Sequence, residues 1–490
     1  MNVLLISPRT PDTFWSFRHV LPLISKKAAF PPLGLLTVAA MLPREWNLRL
    51  VDLNVTRLSQ TDIDWADAAF VSGMIVHEES ARRAIAQCAA AGKTVIAGGP
   101  LFTTGHERFP DVRHFALGES EDYMPQLVDD LGRGRLKPFY HSAGRPDVEK
   151  SPIPRWDLLN FNDYATMPLQ FSRGCPFDCE FCDVIVMNGR VPRAKSPAKM
   201  IAELESLIDA GWKGPVFIVD DNFIGNKARV KTLLRELIAW RRRRNYRTTF
   251  TTEASLNLAD DAELLRLMGA AGFKRVFIGI ESPEEDALIE CSKVQNTRRD
   301  LVASVKTIHN AGIEVMGGFI VGFDSDRPGI FARQHQFIQS AGVVTAMVGL
   351  LTALPRTRLF NRLQAEGRLL THSTGNNVDA VLNFIPRLDR DLLVNSYRQL
   401  VKRLYEPREY YQRIRAFLRD FRPADPRPPL RRQDALAFCR SLWIMGVATR
   451  GRREFWKFLL RTSLFHRCAF AEALQLVILG HHFRKVAEAL

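Results

Sequence analysis

Cysteine is scarce in this chain, with seven in 490 residues. An odd, mostly scattered set with no secretion signal ahead of it excludes a disulfide framework and points to a reducing cytoplasm. Long apolar runs are missing as well. No stretch approaches the roughly 18 uncharged apolar residues that a spanning helix needs. The opening MNVLLISPRT is too short and too uncharged in front for a signal peptide, and reads as a first β-strand. What is present is an ordinary globular balance, 46% apolar and 25% charged. The length exceeds a single core and suggests about three domains. The formal charge of +15 is uneven, because 22 Lys and Arg face only 10 Asp and Glu from Pro386 onward. The positive charge therefore belongs mainly to the last segment.

Short apolar runs alternate with helical patterns over the first part, as in βα units on a parallel sheet. Strands are expected at Val3–Ser7, Leu48–Leu53, Ala68–Gly73, Thr94–Ala97 and His114–Leu117, with helices in PPLGLLTVAAML and ESARRAIAQCAAAG between them. The fold class is thus α/β, beginning with a five-stranded, doubly wound, flavodoxin-like domain over 1–135. Such sheets bind ligands outside the carboxyl ends of their strands. Those ends carry SGM, AGGP and LGES, and glycine there lets a backbone approach a ligand closely. Three such turns on one rim favour a ligand site over ordinary tight turns.

Residues 136–165, rich in Pro, Gly and Arg, read as a linker. A second alternation follows over 166–356, with strands expected at 169–172, 216–220, 248–255, 275–282, 315–323 and 346–354. Six strands separated by helices suit a partial parallel barrel better than a closed eight-unit one. Residues 357–490 read as helical and basic, broken by PADPRPPLRR. Aromatic and aliphatic residues interleaved with arginine after Arg450 suit either a helix packed on the barrel or one lying in a membrane interface.

At the end of the first barrel strand stands FSRGCPFDCEFCDV, where Cys175, Cys179 and Cys182 fall within eight residues. Zinc sites bring ligands in pairs, and no second CxxC or HxxxH lies nearby. Thiolates are the usual holders of iron–sulfur clusters, and three of them leave one iron of a four-iron cluster open to another ligand. This stretch resembles the CxxxCxΦC signature of the radical S-adenosylmethionine superfamily, with Phe181 as the aromatic residue. GRVPRAKSP, VDDNF, TTEASLNLADD, FIGIESP and GGFIVGFD resemble successive segments of the same family.

The resemblance implies a [4Fe-4S] cluster on the three cysteines, S-adenosylmethionine on the open iron, and a partial (βα)6 barrel. It makes Phe181, Asp221, Glu253 and Glu281 candidates for S-adenosylmethionine contacts. A doubly wound domain ahead of the barrel resembles the cobalamin-binding subgroup, which makes Ser72, Gly98, Gly99, Gly118 and Glu119 candidates for a corrinoid rim. The DxHxxG motif that supplies a lower cobalt ligand is missing, so binding without a histidine beneath cobalt is implied. The activity implied is C-methylation of an unactivated carbon in a small or lipid-like substrate. Cyclisation or other carbon-skeleton chemistry is the alternative. An RNA-modifying methylthiotransferase is a further one, but only Cys88 stands near the N-terminus to hold the second cluster it needs. Flavodoxin or ferredoxin is implied as electron donor, membrane contact through the basic tail is a further expectation, and no nucleic acid is expected. In LLTALPRTRLF, Arg356 stands where the family pattern has glycine.

Overall fold

The computed structural model describes residues 1–423, 432–449 and 451–490. PADPRPPLRR falls mostly outside the described residues, as does Arg450. Strands β1 (Asn2–Ser7), β2 (Asn47–Asp52), β3 (Ala68–Ser72), β4 (Thr94–Gly98), β5 (His114–Leu117) and β6 (Phe139–His141) form a parallel sheet in the order β2-β1-β3-β4-β5-β6. Because β1 is covered on both faces, it reads as an unbroken apolar run instead of an alternating one. Leu4 and Ile6 enter a core with Val71, Ile85 and Cys88, whereas Val3 and Leu5 enter the opposite core with Leu35, Phe70 and Leu127. Cys88 is thus a packing residue.

The sheet has six strands and not the five expected, and the sixth comes from the stretch read as a linker. Its three residues, FYH, are too few to show a period, and Phe139 lies 46% exposed at the sheet edge. Tyr140 is anchored beneath, its hydroxyl donating to Asp130 at 3.0 Å.

The second sheet begins with β7 (Met167–Leu169), two residues ahead of the expected start. The next residues turn aside into β8 (Ser172–Arg173), which pairs antiparallel with β9 (Arg193–Ala194). The cysteine loop is therefore an excursion whose two ends are clamped together. Strands β10 (Val216–Ile218), β11 (Phe250–Glu253), β12 (Phe273–Glu281), β13 (Glu314–Val321) and β14 (Ala346–Leu350) complete a parallel sheet in the order β14-β13-β12-β11-β10-β7. Each strand neighbours its predecessor and the first and last do not meet, which is the open six-stranded barrel expected from the alternation.

Helices Arg390–Leu404 and Pro407–Asp420 pack against this barrel, and Arg452–Phe465 and Phe470–Ala489 pack in turn against those two. Their charge is not all on the surface. The guanidinium of Arg413 is fully buried, lies over the rings of Tyr405 and Tyr410, and donates to the carbonyls of Leu404 at 2.9 Å and Val344 at 3.2 Å. The last helix reaches back to the N-terminal loop, where Phe483 stacks on Phe14 with centroids 4.2 Å apart. Among the described residues no helix is long and apolar enough to cross a membrane.

Candidate functional site

The cysteine loop is held by backbone and charge on every side. Gly174 takes φ +98°, and a Cβ there would lie 2.9 Å from the carbonyl of Gly189, so only glycine fits this approach. Its N–H donates to Asp221 Oδ2 at 2.9 Å. The N–H of Cys175 donates to the carbonyl of Gly189 at 3.2 Å, and that of Glu180 to Cys291 at 2.9 Å. On the far side, Arg362 in helix Arg358–Ala365 pairs with Glu180 at 2.7 Å, and Arg358 donates to the carbonyl of Asp178 at 2.6 Å.

All three cysteines are free thiols. Burial pushes the thiols of Cys179 and Cys182 up, so neither is inclined to ionise without a metal. Donors nevertheless face the sulfurs: Asn222 Nδ2 lies 3.7 Å from Cys175 Sγ, and Gln295 Nε2 lies 3.9 Å from Cys179 Sγ. The ammonium of Lys293 adds an attractive charge to Cys179 and Cys182. Amide donors and a cation directed at unpaired sulfurs suit thiolates bound to iron, so the donor set fits an iron–sulfur cluster.

Acidic groups surround this loop at the strand ends. Asp220, fully buried, accepts from Phe171 N, Ser172 N and Ser172 Oγ at 2.6 to 2.8 Å. Burial pushes its carboxyl up to about 7 despite these donors. Asp221 accepts from Gly174 and, at 2.9 Å, from Asn188, so one of its oxygens is already used to hold the cysteine loop. Glu253 closes β11, and burial, with Asp221 and Asp220 nearby, pushes it up to about 8. Glu281 sits at a register shift in β12 with φ +67°, and its Oε1 accepts from Lys293 Nζ at 2.6 Å. A Cβ on Gly279 would lie 2.2 Å from that same oxygen, so the buried pair depends on glycine there. Phe181 lies beneath Lys293, with Nζ 6.0 Å from its ring centroid. Asp221 and Glu281, candidates from sequence for S-adenosylmethionine contacts, are each also engaged with the protein itself.

On the other sheet the rim residues do more than line a pocket. Glu119 accepts from Arg173 at 2.7 Å and from Arg193 at 2.6 Å, while Glu121 pairs with the same Arg173 at 2.7 Å. Arg173 immediately precedes the cysteine loop, so two nearly buried carboxylates of the N-terminal domain grip its base. Sequence reasoning missed Arg173, Glu121 and Lys293. The pattern GES-E two residues past a strand, with an arginine directly before the loop, was the available signal for the first two.

At β4 the rim is tight, since a Cβ on Gly99 would lie 2.4 Å from Ser72 Oγ. The nearby His77 is committed to backbone support: its Nδ1 accepts from Met74 N at 3.1 Å, and its Nε2 lies 3.1 Å from Thr10 Oγ1. Arg356, which is exposed, has φ +67°, the conformation for which glycine is the usual residue. It spans to Glu107 at 3.0 Å.

One cavity of about 2550 Å³ runs between the two sheets, and Ser72, Gly98, Gly99, Gly118 and Glu119 line it together with Asp221 and Glu253. Trp15, Phe277 and Phe483 wall it with aromatic surface, and the last helix contributes Phe470 and Ile478. The cysteines, Phe181 and Glu281 are not part of this lining.

Residues 169–328 match the model of the radical SAM superfamily, and 357–490 match a domain of unknown function, DUF4070. The chain is 41% identical over its whole length to an uncharacterized methyltransferase of Synechocystis sp., covering 92% of that protein. It is 34% identical to the hopanoid C-2 methylase of Rhodopseudomonas palustris over 98% of this chain and 92% of the methylase. The fold resembles that of the cobalamin-dependent S-adenosylmethionine radical enzyme OxsB, solved with aqua-cobalamin and S-adenosylmethionine bound, with TM-score 0.63, 14% identity, and coverage of 100% of this chain and 80% of that one. The chain belongs to the radical S-adenosylmethionine superfamily, in the family of the hopanoid C-2 methylase and its methyltransferase relatives.

Proposed function

We propose that the protein methylates an unactivated carbon of a hydrophobic, isoprenoid-type substrate seated in the cavity between the two sheets. The observation that carries this reading is the continuity of that cavity, which joins the glycine-lined rim to the carboxylates at the barrel strand ends through aromatic walls. The likeness to a hopanoid methylase over nearly the full length supports the same substrate class.

Cys175, Cys179 and Cys182 would hold the cluster, with Asn222 and Gln295 donating to two of its sulfurs. Ser72, Gly98, Gly99 and Gly118 would let the backbone approach a corrinoid, while His77 would stay with its backbone contact to Met74. When bound, these groups with S-adenosylmethionine supply one-electron hydrogen abstraction and a transferable methyl group. The chain's own share is placement and exclusion. Glu253, protonated near neutral pH, can donate a hydrogen bond towards S-adenosylmethionine, and the free edge of Asp221 can accept one. Phe181 and the Glu281–Lys293 pair support the loop that carries the cluster. Aromatic walls keep water from a reactive carbon centre.

A reductant is required, and flavodoxin or ferredoxin suits the one-electron step. Peripheral membrane contact is supported by Trp443, Leu460, Leu464 and Phe465, which are 62–77% exposed on the basic helices Arg432–Trp443 and Arg452–Phe465. Anaerobically reconstituted protein given S-adenosylmethionine with a trideuterated methyl group should place the label on an unmethylated hopanoid dispersed in detergent. Labelling confined to water-soluble acceptors in a mixed panel would overturn the substrate class.

A further inference from the structure

We propose that Asp12, His19 and His482 form a zinc site that fastens the N-terminal loop to the last helix. One ligand atom from each of the three lies within 4.8 Å of the others. His19 Nε2 lies 2.9 Å from Asp12 Oδ2, and the rings of His19 and His482 have centroids 5.4 Å apart. The side chains come from opposite ends of the chain, the loop after β1 and the helix Phe470–Ala489.

The second observation is the state of His482. It is completely buried, and its Nε2 meets the carbonyl of Phe14 at 3.0 Å. A carbonyl only accepts, so Nε2 carries the proton and Nδ1 keeps its lone pair. That Nδ1 has no hydrogen-bond partner. Leaving such a buried group unsatisfied is costly, and a bound cation would remove the penalty. An imidazole fixed by a backbone carbonyl through one nitrogen, with the other free, is how metal-ligating histidines are commonly oriented. Asp12 is steadied through its other oxygen, which accepts from Ser16 Oγ at 3.1 Å. Two imidazoles, one carboxylate and a water complete a tetrahedral zinc shell.

The position gives the site a purpose. Between Asp12 and His19 the loop carries Phe14 against Phe483 and Trp15 edge-on to Phe277 at 5.2 Å. Both aromatic residues wall the cavity. Zinc would hold that wall shut by joining two chain ends that are otherwise in contact only through side-chain packing and a few hydrogen bonds. Asp12 is exposed, so the ion can enter from solvent.

The test uses protein with its cluster in place under anaerobic conditions, so that the cysteines are occupied. Zinc titrated in competition with a chromophoric chelator should bind one equivalent per chain. Affinity should fall at least tenfold in D12N and H19Q, whose side chains reach the surface and whose loss leaves the core intact, and also in H482Q. X-ray absorption at the zinc edge should report nitrogen and oxygen ligands alone. Hydrogen exchange in segment 12–19 should slow when zinc is added to the wild type and not when it is added to H19Q. Absence of zinc binding, equal binding by H19Q, or sulfur in the zinc shell would overturn the site. Unaltered exchange in 12–19 with zinc bound would overturn its fastening role.

Discussion

Replacing Arg173 by methionine removes a guanidinium that serves two carboxylates at once. The Arg173 side chain is 14% exposed, and those of Glu119 and Glu121 are 8% and 2% exposed, each paired with it at 2.7 Å. Glu119 keeps a second partner in Arg193 at 2.6 Å, so the charge left stranded is that of Glu121, which retains the Ser151 hydroxyl and its own backbone N–H. Breaking one side of a buried pair costs about 3–5 kcal/mol, and the surviving Ser151 contact places the expected loss near the lower end, about 3 kcal/mol at pH 7.5. Burial alone would push the Glu121 carboxyl up, but the hydrogen bond and charge of Arg173, with Ser151, hold it below its ordinary range. A depressed carboxylate contributes stability that is present above its unfolded pKa and is lost as the pH falls through its folded value. In R173M the same group is buried without its cation and can bind a proton instead, so the gap to wild type should narrow as the pH is lowered from 8 towards 5. Urea unfolding of the apoprotein, followed by tryptophan fluorescence across that range, measures the gap. The double variant R173M/E121Q should recover more than half of the loss, because it removes the stranded charge. A loss below about 1 kcal/mol, the value of an exposed pair, or a gap independent of pH would show that Arg173 is not clamping a buried carboxylate.

Gly174→Ala forces a Cβ to 2.9 Å from the Gly189 carbonyl at φ +98°. Iron and sulfide retained after reconstitution should fall by more than half, with the far-ultraviolet spectrum unchanged. Because burial raises Glu253 to about 8, its raised value costs apoprotein stability progressively as pH climbs from about 4.3 through the folded pKa. The isosteric E253Q should therefore gain on wild type between pH 5 and 8 in thermal melts, and a constant difference would contradict this. Arg356→Gly relieves about 1 kcal/mol of left-handed strain but frees the unfolded chain and loses the Glu107 contact, so melting should show a net change under about 1 kcal/mol. Leu460→Glu with Phe465→Glu should abolish sedimentation with anionic lipid vesicles while leaving the circular dichroism spectrum as it was.

The barrel and the N-terminal sheet were legible because their strands are buried on both faces, which leaves unbroken apolar runs such as VLLI in β1 and VFIGI in β12. The short edge strand β6 was not, since three residues at an exposed edge carry no period. The cysteine loop declared itself through residue type and spacing. What escaped was the pairing of charges across long sequence distances: Arg173 with Glu119 and Glu121, and Lys293 with Glu281, lie on loops whose approach is set by tertiary packing. Asp221 illustrates the same limit, because its position at a strand end was readable and its bond to Gly174 was not. Arg356 is the converse case. Comparison with the glycine expected there located a left-handed residue, and the structure supplied the reason for the expectation.

The proposed methyl transfer would take place in the one cavity that the glycine-lined rim and the barrel carboxylates Asp221 and Glu253 line together. The direct measurement is a single-turnover assay with trideuteromethyl-labelled S-adenosylmethionine and a hydrophobic acceptor, using protein loaded to graded corrinoid occupancy with the cluster complete throughout. Labelled product should rise in proportion to corrinoid occupancy, with 5'-deoxyadenosine formed alongside it. Equal labelling by corrinoid-free protein would contradict it.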